Sequence, residues 1–124
     1  MSCIFCNLPV EKEIIESNEL ALAFYDNYPV TKYHTLIIPR RHVSDYFELT
    51  KTEHAAIQEL LYNHKERLQN IDSTITGFNI GINVGKDAGQ SIFHVHVHLI
   101  PRRYGDMEEP KGGVRGVIPE KQKY

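Results

Sequence analysis

Three of the chain's 7 histidines, His94, His96 and His98, occupy every second position of the segment FHVHVHLIP at 93–101. Aromatic and β-branched residues interleave with them, the pattern of a β-strand whose successive side chains point to opposite faces. His94, His96 and His98 are then expected on one face, with Phe93, Val95, Val97 and Leu99 on the other. A merely solvated face is ordinarily filled with Thr, Lys or Glu, so two chemical readings compete. One is metal binding. Alternate strand residues lie about 6.6 Å apart, close enough for two imidazoles to share an ion, but the outer pair is separated by about 13 Å. With bonds of about 2.0 Å, a zinc ion would take two of the row plus a remote ligand. The other reading is nucleophilic catalysis. A neutral imidazole attacks phosphorus through one ring nitrogen when an acceptor holds the other N–H. The middle residue, His96, would attack while its neighbours orient it and bind phosphate oxygens.

The loop GKDAGQS at 85–91, directly before the row, suits an anion. Its two glycines let backbone N–H groups approach, and Gln90 and Ser91 add uncharged donors. At the start of the chain, Cys3 and Cys6 form CIFC. No secretory signal is expected, which argues against a structural disulfide, and a redox motif would be expected to follow a strand and open a helix. Metal ligation and ordinary apolar packing both stay open for these cysteines.

These residues need elements to position them. EIIES (13–17) and LALAFYD (20–26) read as strands joined by a turn at Asn18 and Glu19, a hairpin. TLIIP (35–39) reads as another strand, stopped by Pro39. From Thr50 the period changes, with Ile57, Leu60, Leu61, Leu68 and Ile71 at helical spacing and His64 on the same stripe. Thr50 and Glu53 have the offset of a capping box, so one long helix is predicted from Lys51 to Asn70. TGFNIGINV (76–84) alternates as a half-buried strand should. The order of elements predicts an α+β fold, an antiparallel sheet with one long helix packed on it. The segment from Gly105 onward lacks periodicity and is expected to be an extended tail.

Composition narrows the partners. With 124 residues and 41% hydrophobic content, the chain is expected to form one domain, 1–124, with a single core. A net charge of -2 predicts no nucleic-acid or anionic-membrane partner. No apolar run approaches the roughly 20 residues of a membrane span, and a cytoplasmic location is expected.

GQSIFHVHVHLIPR (89–102) resembles the signature of the histidine triad (HIT) family, and the similarity extends from CIFC through LALAFYDNYPVTKYHTLIIPRRH to PRR at 101–103. Members are nucleotide hydrolases and transferases, usually homodimers with one continuous sheet, so the resemblance implies a homodimer and a nucleotide substrate. By position it makes His96 the nucleophile that forms a nucleotidyl-histidine intermediate. His98 would bind the α-phosphate and help protonate the leaving group. Gln90 and Ser91 would contact phosphate and leaving group, and Asn83 would reach the phosphates. Asp26 would accept from ribose hydroxyls, with Ile4, Phe5 and Phe24 around the base. His34 would support the triad strand, and His54 and His64 would be surface or core residues. The resemblance also implies a structural zinc held by Cys3, Cys6, His42 and His94, with no catalytic metal needed.

Branches of the family act on dinucleoside polyphosphates, on purine nucleoside phosphoramidates, or in nucleotidyl transfer. PRRYGD at 101–106 resembles the dinucleoside polyphosphate branch, with Arg102, Arg103 and also Arg115 expected to place charge near a second phosphate chain. Hydrolysis of dinucleoside polyphosphates is therefore the expected activity. The contrasting expectations are phosphoramidase or transferase activity, and a nucleotide-binding protein without turnover.

Overall fold

Thr50 ends an extended segment; its Oγ1 accepts from the Glu53 N–H at 3.1 Å, and the Glu53 carboxylate accepts from the Thr50 N–H at 2.9 Å. This capping box satisfies two N–H groups that a helix start otherwise leaves unpaired. The helix it begins, α1, runs Lys51–Ile71. Glu53 is buried, and Arg41 donates to both its oxygens at 2.9 Å, which holds the carboxyl down at about 2. Ile57, Leu60 and Leu68 form the buried stripe of α1. Ile71, in the last turn before the chain leaves the helix at Asp72, is exposed.

The computed structural model describes residues 3–124. Five strands make one sheet: β1 (Glu16–Ser17), β2 (Ala21–Tyr25), β3 (Thr35–Pro39), β4 (Ile75–Ile82) and β5 (Val97–Arg103). Their order is β1-β2-β3-β5-β4 and every pairing is antiparallel. The α+β arrangement with one long helix is therefore the observed one. Among the described residues no helix is long and apolar enough to cross a membrane.

Three expectations change in detail. The strand expected at 13–17 reduces to Glu16–Ser17, because β1 is the sheet edge and pairs on one side only. The strand expected at 93–101 begins only at Val97; the backbone bends at 92–94, and the Val95 N–H bonds the Val43 carbonyl at 2.8 Å. That bend turns Phe93 outward, 48% exposed, while Val95, Val97 and Leu99 stay in the core as predicted. The tail is not simply extended: Gly113–Val117 and Pro119–Lys121 form 3-10 turns, and Arg115 lies over the Tyr124 ring at 4.8 Å.

His64 is buried between α1 and the sheet, as its place on the apolar stripe implies. The Thr35 hydroxyl donates to the Tyr33 carbonyl at 2.8 Å, so it accepts from His64 Nε2–H at 2.8 Å. That bond places a hydrogen on Nε2, and Nδ1 has no partner among the described residues. Burial lowers the His64 pKa to about 4. The native state then binds this proton less readily than the unfolded chain. Stability from this group is full above about pH 6.5 and is lost as the pH falls toward about 4, a loss of about 3 kcal/mol. His64→Gln keeps a donor for Thr35 and removes the titration. Urea unfolding between pH 7 and 4 is expected to show a shallower decline for this variant than for wild type; parallel declines would refute the assignment.

Candidate active site and metal cluster

Strand alternation sorts the sheet into two faces. Ala21, Ala23, Ile37, Val97 and Leu99 pack toward α1, while Leu22, Phe24, Leu36 and Ile38 form the opposite face under residues 3–8 of the N-terminal segment. His98, flanked by Val97 and Leu99, shares that opposite face. A cavity of about 480 Å³ opens there, lined by His96, His98, Asn83, Ser91, Asp26, Phe5, Phe24 and Ile4. Its size suits a small-molecule ligand.

Backbone partners set the hydrogen positions of the imidazoles. His96 Nδ1 lies 2.8 Å from the His94 carbonyl, which can only accept, so Nδ1 carries a hydrogen and the neutral ring has its lone pair on Nε2. The ring sits edge-on to Phe5 with centroids 5.1 Å apart. His34 Nδ1 accepts from the Val30 N–H at 3.0 Å, so its Nε2 carries the hydrogen and donates to His98 Nδ1 at 2.9 Å. His98 is thereby left with Nε2–H as its free group. Burial, then the neighbouring His96 and His34 rings, lower His98 to about 4, and burial also lowers His34. At pH 7 His98 is a neutral donor and not the protonated acid that the resemblance implies. Asp26 Oδ1 accepts from the Tyr28 N–H at 2.8 Å, and its Oδ2 lies 3.5 Å from His34 Nε2. Asp26, His34 and His98 bring potential ligand atoms within 4.8 Å of one another. Because His34 Nε2 bears a hydrogen, this group is a relay of hydrogen bonds and not a three-ligand metal site.

His94 and Gln90 do not line the cavity. Gln90 Oε1 accepts from the Gly85 N–H at 2.9 Å, and its amide donates to the Ser44 and Ile92 carbonyls. Its amide is therefore committed to closing the 85–91 loop, whose Gly85 and Gly89 take left-handed φ of 90° and 99°. The direct ligand contact expected of Gln90 is replaced by placement of Ser91, which does face the cavity. His94 donates from Nε2 to the Pro39 carbonyl at 2.8 Å and turns its Nδ1 lone pair toward Cys3 and Cys6, each Sγ at 3.5 Å. His42 Nδ1 lies 3.2 Å from Cys6 Sγ. The four ligand atoms lie within 4.8 Å of one another. Around a tetrahedral ion with bonds of about 2.0 and 2.3 Å, adjacent nitrogen and sulfur ligands are about 3.5 Å apart. The donor set therefore fits a metal ion. Lost hydration and then the adjacent Cys3 push the Cys6 thiol above its ordinary value, and a divalent cation would reverse that preference.

The domain family described as HIT domain matches residues 8–105. The chain belongs to the HIT family. Among solved structures, this HIT protein is similar to a zinc-bound histidine triad family protein from Mycobacterium smegmatis, with a TM-score of 0.78 and 33% identity over 88% of this chain and 81% of that one. It is 36% identical to a bis(5'-nucleosyl)-tetraphosphatase (asymmetrical) of Schizosaccharomyces pombe over 85% of this chain and 57% of that enzyme. To an AP-4-A phosphorylase of Mycobacterium tuberculosis it is 34% identical, over 75% of this chain and 48% of that enzyme.

Other sequence-based expectations for this HIT protein fare unevenly. Arg102 pairs with Asp106 and Asn79, Arg103 pairs with Asp72, and Arg115 donates to the Lys121 carbonyl. None of the three lines the histidine cavity, so the charge expected near a second phosphate chain is absent from it. Sequence reasoning missed Lys12, whose ammonium sits in that lining, donates to the Tyr25 carbonyl and Asn27 Oδ1 at 2.6 and 2.7 Å, and lies over the Phe24 ring. No spacing rule relates Lys12 to β2. It also missed the direct His34–His98 bond, for which His34 itself was the only signal.

Proposed function

We propose that this HIT protein hydrolyses dinucleoside polyphosphates through a covalent nucleotidyl-histidine. The observation that carries the reading is the bond from His96 Nδ1 to the His94 carbonyl, which in the neutral ring puts the nucleophilic lone pair on Nε2, on a ring that lines the cavity. His96 Nε2 attacks the α-phosphorus; the N–P bond forms as the bond to the bridging oxygen breaks, and the nucleoside polyphosphate departs with that electron pair. Water then cleaves the N–P bond, releasing a nucleoside monophosphate and free His96. His98 Nε2–H donates to the phosphate oxygens, with its direction fixed through His34 and the Val30 N–H. Asn83 and Ser91 add donors, Asp26 accepts from ribose hydroxyls, and Phe5, Phe24 and Ile4 surround the base.

Two points favour an anhydride over a phosphoramidate. A polyphosphate leaves as an anion, so the neutral His98 need not supply a proton, whereas an amine needs one. Two relatives carry names that specify dinucleoside tetraphosphate chemistry. In the same proposal Cys3, Cys6, His42 and His94 hold a structural zinc, which supplies a fixed anchor for the His94 ring and no step of the reaction. A homodimer also belongs to it. Among the described residues no strand pairs with the outer edge of β4, and its half-exposed Ile80 adjoins Phe78, Leu61 and Tyr62 beside Lys65 and Glu66, a strip fit for a second copy.

The test is product analysis with diadenosine tetraphosphate, before and after a brief exposure to chelator that leaves the fold intact. AMP release that survives chelator is expected. Activity abolished by chelator, fold unchanged, would favour a catalytic metal, because loss of a structural ion lowers turnover without ending it. No cleavage at all, with turnover of adenosine 5'-phosphoramidate, would move the protein to the phosphoramidase branch.

A further inference from the structure

Alternation assigns Phe93 to the core, yet it is 48% exposed, and Ile4 is 59% exposed. Both line a second cavity of about 600 Å³, together with Ser91, Ile92 and the outer side of the Cys3, Cys6 and His42 cluster. This space is far larger than an ion occupies, so the cluster does not account for it. Ile4, Ser91 and Ile92 line this cavity and the histidine cleft alike, so the two adjoin along these residues. The cleft, as read above, takes one nucleoside and the α-phosphate. Whatever is bonded beyond that phosphate must extend out of it, and the adjoining space is on offer.

The lining of that space decides what fits. Among the described residues it has no lysine, arginine or carboxylate; it has an outward aromatic ring, two isoleucines and the amide of Asn7. Such a surface suits a flat heteroaromatic body with a polar edge, because a base stacks on an aromatic ring whatever its identity. A bare phosphate or an alkylamine gains little there. We infer that the Phe93 and Ile4 cavity is a subsite for the second nucleoside of a dinucleoside polyphosphate, with its base stacked on Phe93. This rests on the proposed function and names the leaving half of the substrate. It also assigns a use to the bend at 92–94, which presents Phe93 to solvent instead of to the core.

The experiment measures binding of methylene-bridged diadenosine tetraphosphate and of AMP to metal-loaded wild type, Phe93→Ala and Phe93→Tyr. Wild type is expected to bind the dinucleotide more tightly than AMP. Phe93→Ala should weaken the dinucleotide about tenfold, the size of one base–aromatic stack, with AMP affinity within twofold and metal content unchanged. Phe93→Tyr should restore binding. Equal losses for both ligands in Phe93→Ala, or no loss for the dinucleotide, would overturn the subsite. AMP binding by wild type without any gain for the dinucleotide would do the same while leaving the cleft reading intact. Failure of wild type to bind AMP would overturn the cleft reading, and the subsite with it.

Discussion

Replacing His96 by alanine is expected to lower dinucleoside polyphosphate turnover at least about a thousandfold, more than removing any single hydrogen-bond donor. A donor such as His98 Nε2–H stabilises charge that other donors partly share, and its loss costs on the order of a hundred- to a thousandfold. The attacking nitrogen has no substitute. Around His96, the imidazoles of His94 and His34 have both ring nitrogens engaged, by Pro39 and the cysteine sulfurs in one case and by Val30 and His98 in the other. His98 Nδ1 is likewise taken, leaving only a protonated nitrogen free. The fold should survive, because the ring contributes one bond to a carbonyl and edge contacts to Phe5 and His98. AMP release, circular dichroism and metal content measured on one preparation check the prediction. A folded, metal-replete His96→Ala protein retaining more than a tenth of wild-type turnover would remove His96 from the reaction.

His98→Ala separates the two roles in the same assay. A protein that still forms the covalent adduct, but slowly, is expected, whereas His96→Ala forms none.

The features legible in the sequence are those written by near neighbours. The capping box at Thr50 and Glu53 and the 3.6-residue stripe of α1 depend on contacts within a few positions, and the helix starts where they predict. The inward Val95, Val97 and Leu99 follow from strand alternation alone. What escaped depends on partners distant in sequence. The bend that exposes Phe93 is held by a bond from Val95 to Val43, and the amide of Gln90 is turned from the ligand by Ser44 as well as by its own loop. The arginines of PRRYGD look available in sequence, but Asp72 and Asp106 neutralise Arg103 and Arg102 in the fold. His98 looks like an acid by its motif; burial among two other imidazoles keeps it neutral. The four ligands Cys3, Cys6, His42 and His94 are spread over 91 positions and became one cluster only through the family pattern and then the fold.

That cluster leads to the second large effect. Cys3→Ser is expected to lose the bound metal, about one ion per chain in wild type, and with it a large part of the stability. An ion present at a thousandfold excess over its Kd stabilises the native state by about 4 kcal/mol, which for a domain of this size corresponds to roughly 15 °C in Tm. The loss should reach the chemistry as well. The N-terminal segment carries Phe5 and Leu8, which pack on Phe24, Leu36 and Ile38 beneath the cleft, and the metal pins that segment to His42 and His94. The carbonyl of the same His94 holds His96 in its reactive tautomer. Turnover in Cys3→Ser should therefore fall through kcat as well as KM, even at temperatures where the variant stays folded. Metal analysis, thermal unfolding and steady-state kinetics on wild type, chelated wild type and Cys3→Ser test the chain of effects in order. Metal-free wild type with an unchanged Tm would show that the cluster does not anchor the fold. A metal-free protein with lowered Tm but unchanged kcat would confine the ion to stability and cut the link from His94 to His96.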